Sequence, residues 1–126
     1  MDKHCVSLEI AKQLKEAGWK KPTIYQWSDN YYGVLTFGKP AENFKGEYRI
    51  VDSPIMLDDT EYPAPLATEI FEELPCKNIY IRYYDLLGID EWGVDLQTST
   101  GLETRDKFLP NALAKMWLYL RKEKII

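Results

Sequence analysis

The last third of the chain carries the pattern that most restricts its fold. Phe108, Ala112, Leu113, Met116, Trp117 and Leu120 recur at helical spacing and give residues 109–123 a broad apolar face. Pro110 falls in the first turn of that helix, where a missing N–H removes only a group that has no helical partner anyway. As the largest hydrophobic element of the chain, this helix is expected to pack across the sheet. No apolar run approaches the ~20 residues that a membrane-spanning helix needs. With 126 residues, 45% of them hydrophobic and 29% charged, the chain suits one globular domain covering residues 1–126. The same composition excludes a disordered or collagen-like chain.

Two further helices can be read from their ends. Ser7 is a good N-cap, Glu9 complements the dipole of the first turn, and Gly18 supplies the left-handed stop. Leu8, Ile10, Ala11, Leu14 and Ala17 lie between them on one side, and Trp19 is placed to fold back over the helix end. The second helix is expected to start at Pro65, to bury Leu66, Ala67, Ile70, Phe71 and Leu74, and to end at Pro75.

Strand signals fill the gaps. Residues 23–27 and 33–37 are β-branched and aromatic around the turn residues Ser28-Asp29-Asn30, which predicts a hairpin. Tyr48 to Val51 could add a short third strand with an open edge, followed by an irregular stretch to Pro65. Ile79, Ile81 and Tyr83 alternate with Tyr80, Arg82 and Tyr84, and Trp92, Val94 and Leu96 alternate with Gly93, Asp95 and Gln97. The order is α-β-β-(β)-α-β-β-α. The expected fold class is α+β, with three helices and one four- to five-stranded mixed or antiparallel sheet. The strand at residues 79–84, amphipathic on both sides, suits a sheet covered on both faces, an α-β-α sandwich.

The net charge of −4 leaves no basic excess for neutralising phosphates, which argues against nucleic acid as the partner. Lys20-Lys21 and the cluster Arg121, Lys122 and Lys124 are local exceptions, and cations near a helix C-terminus complement its dipole. Cys5, Cys76 and the single His4 do not make a zinc ligand set. Two thiols and a charged start without a signal-peptide core read as reduced and cytoplasmic.

No nucleophile-base pair stands out, and neither GxGxxG nor the Walker pattern occurs, so no cofactor is expected. Carboxylates gather in two places. Asp58, Asp59 and Glu61 could offer hard oxygen ligands, although EF-hand spacing is missing. Asp85, Asp90, Glu91 and Asp95 surround the second strand connection and could in principle work as acid and base. A metal-assisted or acid/base enzyme using Asp58/Asp59 or the Asp85–Asp95 carboxylates is thus the alternative to a non-enzymatic protein. Nine tyrosines and four tryptophans sit mostly in strands and turns. Such side chains dominate binding hot spots, and Tyr31 and Tyr32 at the hairpin tip, with Trp92, make the candidate protein-binding face.

The stretch from Cys5-Val6-Ser7-Leu8-Glu9 to Ala17-Gly18-Trp19, the stretch from Ala64-Pro65-Leu66-Ala67 to Leu74-Pro75, and Leu113-Ala114-Lys115-Met116-Trp117-Leu118-Tyr119-Leu120 together resemble small uncharacterised proteins encoded by bacteriophages and prophages. Some of those carry an α-β-α sandwich domain. The resemblance covers the helices, brings no catalytic or ligand residues, and implies a phage or prophage origin. The function expected is a non-enzymatic accessory protein in the cytoplasm of a bacterial host. It would act by binding another protein or itself as a homodimer, without a membrane or nucleic acid.

Overall fold

The computed structural model describes residues 4–28, 35, 36, 39, 40, 48–52, 61–75, 79–85, 87–96 and 102–123. It is an α+β fold with helices α1 (Leu8–Glu16), α2 (Ala67–Phe71) and α3 (Leu109–Lys122). The strands are β1 (Tyr25–Ser28), β2 (Leu35–Thr36), β3 (Lys39–Pro40), β4 (Arg49–Asp52), β5 (Tyr62–Pro63), β6 (Ile79–Tyr84), β7 (Glu91–Leu96) and β8 (Glu103–Asp106). Every pairing among the described strands is antiparallel.

Local chemistry sets α1. The Ser7 hydroxyl accepts from the Ile10 N–H at 3.3 Å, satisfying a donor that the first turn leaves free. At the far end Gly18 takes φ +95°, and the Trp19 N–H returns to the Leu14 carbonyl at 2.9 Å. That bond is the longer one of a Schellman motif. It turns the Trp19 ring onto Trp117 of α3, edge to face with centroids 5.0 Å apart.

The first sheet has the order β4-β1-β5. Trp27 lies opposite Ile50 on one side and Tyr62 on the other. Gln26 and Ser28 are the buried residues of β1. Gln26 donates to the carboxylate of Glu61, also buried, and the Trp27 indole N–H donates to the Val6 carbonyl at 2.9 Å. Polar side chains can occupy these inner positions because their hydrogen bonds are made inside the chain.

The second sheet is a meander, β6-β7-β8, with Ile81 opposite Val94 and Val94 opposite Thr104. The face carrying Ile79, Val94 and Leu96 joins Leu113, Met116 and Leu120 of α3 and Ile10 and Leu14 of α1 in a single core. Eight residues of α3 are buried, as its apolar face requires. The Thr104 hydroxyl donates to the Ala112 carbonyl at 2.8 Å and fastens β8 to the helix.

Several expectations are corrected. The described strands form two three-stranded sheets and one two-residue pair, not one sheet of four to five strands. Where a hairpin of residues 23–27 with 33–37 was expected, β1 pairs with β4 and β5, and β2, the described part of 33–37, pairs with β3. β8 was not foreseen, because Glu-Thr-Arg-Asp has no apolar alternation. α2 begins after Leu66, not at Pro65. Leu66 is held extended in a bridge to Cys5, and the Pro65 carbonyl accepts from the Val6 N–H at 3.3 Å. That bridge delays the helix. Among the described residues no helix covers the outer face of the β6–β8 sheet, where Tyr80, Arg82 and Arg105 are exposed, so the expected sandwich is not seen there.

Candidate functional site

The chain exposes large apolar side chains mainly along β6 and the connection that follows. Tyr80 is 53% exposed, Ile81 40%, Tyr83 49% and Ile89 40%, while Leu87 is fully exposed. Strand polarity alone would bury Ile79 to Tyr84, but β6 is an edge, with β7 as its one partner among the described strands. Only Ile79 is buried.

The turn departs from ordinary chemistry. Leu87 has φ +55° and Gly88 φ +80°. A glycine or asparagine takes such a conformation cheaply, whereas a bulky residue there costs on the order of 1 kcal/mol. Leu87 recovers none of this by packing, since its side chain lies wholly in solvent. Beneath the turn the Tyr83 and Trp92 rings meet with centroids 4.9 Å apart, and the Tyr83 hydroxyl donates to Asp90. Trp92, half-buried, braces this end of the hairpin and leans on the core.

The outer face of the sheet is polar and internally connected. A Cβ on Gly93 would fall 2.7 Å from the Tyr84 ring and 3.1 Å from the Glu103 carboxylate, so the close approach of those groups requires glycine there. The Tyr84 hydroxyl donates to Glu103 at 2.5 Å and Arg105 donates to the same carboxylate at 2.6 Å. The Tyr84 bond first, and Arg105 second, hold the Glu103 carboxyl below its ordinary range. A carboxyl biased that way stays ionised and has little to offer as a general acid. Arg82 pairs with Asp95 at 3.4 Å.

The described carboxylates of the second group, Asp85, Asp90, Glu91 and Asp95, do not gather at one point. Asp85 and Asp90 are exposed at the hairpin end, Glu91 opens β7, and Asp95 lies along the strand beside Arg82. Among the described residues no group of three or more His, Cys, Asp or Glu side chains could hold a metal ion. Asp58 and Asp59 lie outside the described residues, as do Tyr31, Tyr32 and Cys76. Of the aromatic residues named as a binding face, the structure therefore places Trp92 alone.

Lys20, Lys21 and Arg121 do come together, around a depression of ≈ 430 Å³ that includes Glu73 and Trp117. Lys21 pairs with Glu73 at 3.6 Å, and Arg121 donates to the Ala17 carbonyl at the end of α1. The Arg121 bond is the kind expected of a cation at a helix C-terminus.

Beside β6 runs an apolar groove of ≈ 340 Å³ between Ile81, Ala67 and Phe71 of α2, and Leu109 and Leu113 of α3. Ile81, Leu87 and Ile89 were missed as surface residues in the sequence. The signal was there in Leu86-Leu87-Gly88-Ile89, apolar residues where a turn normally carries polar ones. No described helix is long and apolar enough to cross a membrane. Comparison with family models, with curated proteins and with solved structures finds no match.

Proposed function

We propose that this chain is a non-enzymatic accessory protein of phage or prophage origin. It acts in the bacterial cytoplasm by binding another protein or a second copy of itself. The observation that carries this reading is the exposed set Ile81, Tyr83, Leu87 and Ile89 along one face of an edge strand and its turn, with Tyr80 exposed on the other face. Exposed apolar groups that are contiguous, not scattered, mark interaction surfaces, and a strained leucine at the tip fits a residue selected for a contact outside the chain. Trp92 supports that surface from below through Tyr83. Tyr31 and Tyr32 belong to the same proposal as further aromatic contacts.

The test is capture by tagged protein from bacterial lysate, prepared with and without phage induction, alongside a Leu87→Ser/Ile89→Ser variant. A single stoichiometric protein held by the wild type and lost by the variant is the expected result. Equal capture by both chains, or none by either, would sink the assignment of this surface.

A further inference from the structure

We infer that the edge of β6 left without a partner among the described strands pairs with β6 of a second copy of this chain, antiparallel, with Ile81 opposite Ile81. The inference rests on the binding reading above and names its partner. An edge strand aims the N–H and C=O of every second residue away from its sheet, and those groups are a template for another strand. β7 is the one strand beside β6 among the described strands, and Tyr80, Ile81, Arg82 and Tyr83 of β6 are all exposed.

Symmetry restricts the register. Two copies joined at one strand edge are related by a two-fold axis normal to the sheet, which keeps inner face beside inner face. Residues of equal parity must then stand opposite each other, because side chains alternate between faces. Within Ile79–Tyr84 two such registers pair the longest stretch, one centred on Arg82 and one on Ile81. Centring on Arg82 sets the two guanidiniums directly opposite each other, a destabilising like-charge pair. Centring on Ile81 removes that conflict. Arg82 then meets the Tyr80 ring of the second copy, twice by symmetry, a pairing of cation with aromatic ring. Ile79 meets Tyr83, also twice, a β-branched residue against an aromatic one, which is a favourable cross-strand pair.

The inner face agrees with this register. Ile79, Ile81 and Tyr83 share the face that carries Val94 and Leu96. On that side Ile81 borders the apolar groove lined by Ala67, Phe71, Leu109 and Leu113. A strand added at the β6 edge projects its own Ile81 over this groove, so backbone pairing and apolar burial are satisfied together.

Light scattering on the purified chain, over a dilution series, is expected to give twice the 14.8 kDa of one chain, falling to a single chain on dilution. Tyr80→Lys sets lysine against Arg82 of the second copy at two places. It should abolish the dimer and leave the thermal melt of the dilute protein unchanged. Under oxidising conditions Ile81→Cys should cross-link between copies, while Tyr83→Cys, four residues out of register with itself, should not. The wild type, with Cys5 and Cys76, is the blank. A single-chain mass at every concentration, a dimer indifferent to Tyr80→Lys, or cross-linking through Tyr83→Cys as readily as through Ile81→Cys would each overturn the inference. A single-chain mass together with lysate capture that depends on Leu87 and Ile89 would overturn it while leaving the broader binding reading intact.

Discussion

The two edges of the β6-β7-β8 sheet invert the usual relation between polarity and burial. β8 is Glu-Thr-Arg-Asp, as polar as a strand can be, yet it is tied along its length to α3. Thr104 donates to Ala112, Lys115 donates to the Arg105 carbonyl at 3.0 Å, and Asp106 receives the Phe108 N–H at 2.9 Å. β6 is Ile-Tyr-Ile-Arg-Tyr-Tyr, the more apolar of the two, and four of its six residues are exposed. Hydrogen-bonding side chains can fix a polar edge because each bond has a named receiver within the chain. An apolar edge needs area, and α2 and α3 leave a groove beside Ile81 where that area would be. Among the described residues, one edge is therefore tied within the chain and the other has no strand beside it.

The largest effect should come from the residue that serves both. Leu113 is buried in the core and also lines the groove beside β6. Truncating a buried leucine to alanine costs about 2–5 kcal/mol, through lost burial and the cavity left behind. Ile81→Ala, on the opposite wall of the same groove, should cost well under half as much in the single chain, because Ile81 is already part-solvated. Denaturant melts of Leu113→Ala and Ile81→Ala measure the contrast. Equal losses would mean that the β6 side of the groove is as well filled as the α3 side, and the distinction between the edges would fall.

The next effect isolates the β8 edge. Burial alone would push the Asp106 carboxyl up, but the Phe108 N–H, Lys115 and Asn111 outweigh it, and the net shift is downward from 3.8. A carboxyl with a lower pKa folded than unfolded binds protons more readily in the unfolded chain. Its stabilisation is full above the unfolded value and is lost as pH falls through the folded one. Asp106→Asn should lower stability at neutral pH by about 1 kcal/mol, the usual scale for a side chain that satisfies a helix's first turn. It should also flatten the decline of melting temperature between about pH 5 and about pH 2. An unchanged acid slope would show that Asp106 does not hold β8 through its charge.

What could be read from sequence follows from how far apart the deciding atoms lie. The ends of α1 were legible because Ser7 acts on Ile10, Gly18 on Lys15 and Trp19 on Leu14, all within a few residues. The apolar face of α3 was legible because its spacing is repeated over fourteen residues. The partners of β1 were not, since Tyr25 pairs with Asp52 and Gln26 with Pro63, far beyond the turn signal at Ser28-Asp29-Asn30. β8 was invisible for a related reason: what makes it a strand is β7 beside it and α3 beneath it, and neither is encoded in Glu-Thr-Arg-Asp. The aromatic surplus named a class of residue without a position for it. It could not say that Tyr80 and Tyr83 stand on an edge, because alternation assigns a residue to a face and is silent about whether the next strand exists.

The smallest effect is also the most discriminating for the β6 edge. Tyr80 points to the outer face, is 53% exposed, and lies opposite Asp95. Tyr80→Thr keeps a good strand former at the position and removes little buried area. In dilute solution the stability change should stay within about 0.5 kcal/mol, as for other surface substitutions. Concentration is the lever that separates two explanations of that small number. If β6 is a bare edge, the difference between wild type and variant stays small at every concentration. If β6 pairs with a second copy, association stabilises the folded state by mass action. The wild-type melting temperature then rises with concentration while that of Tyr80→Thr rises less, because its ring no longer meets Arg82. A gap that widens with concentration assigns Tyr80 to an interface, and a constant gap returns it to the surface of a single chain.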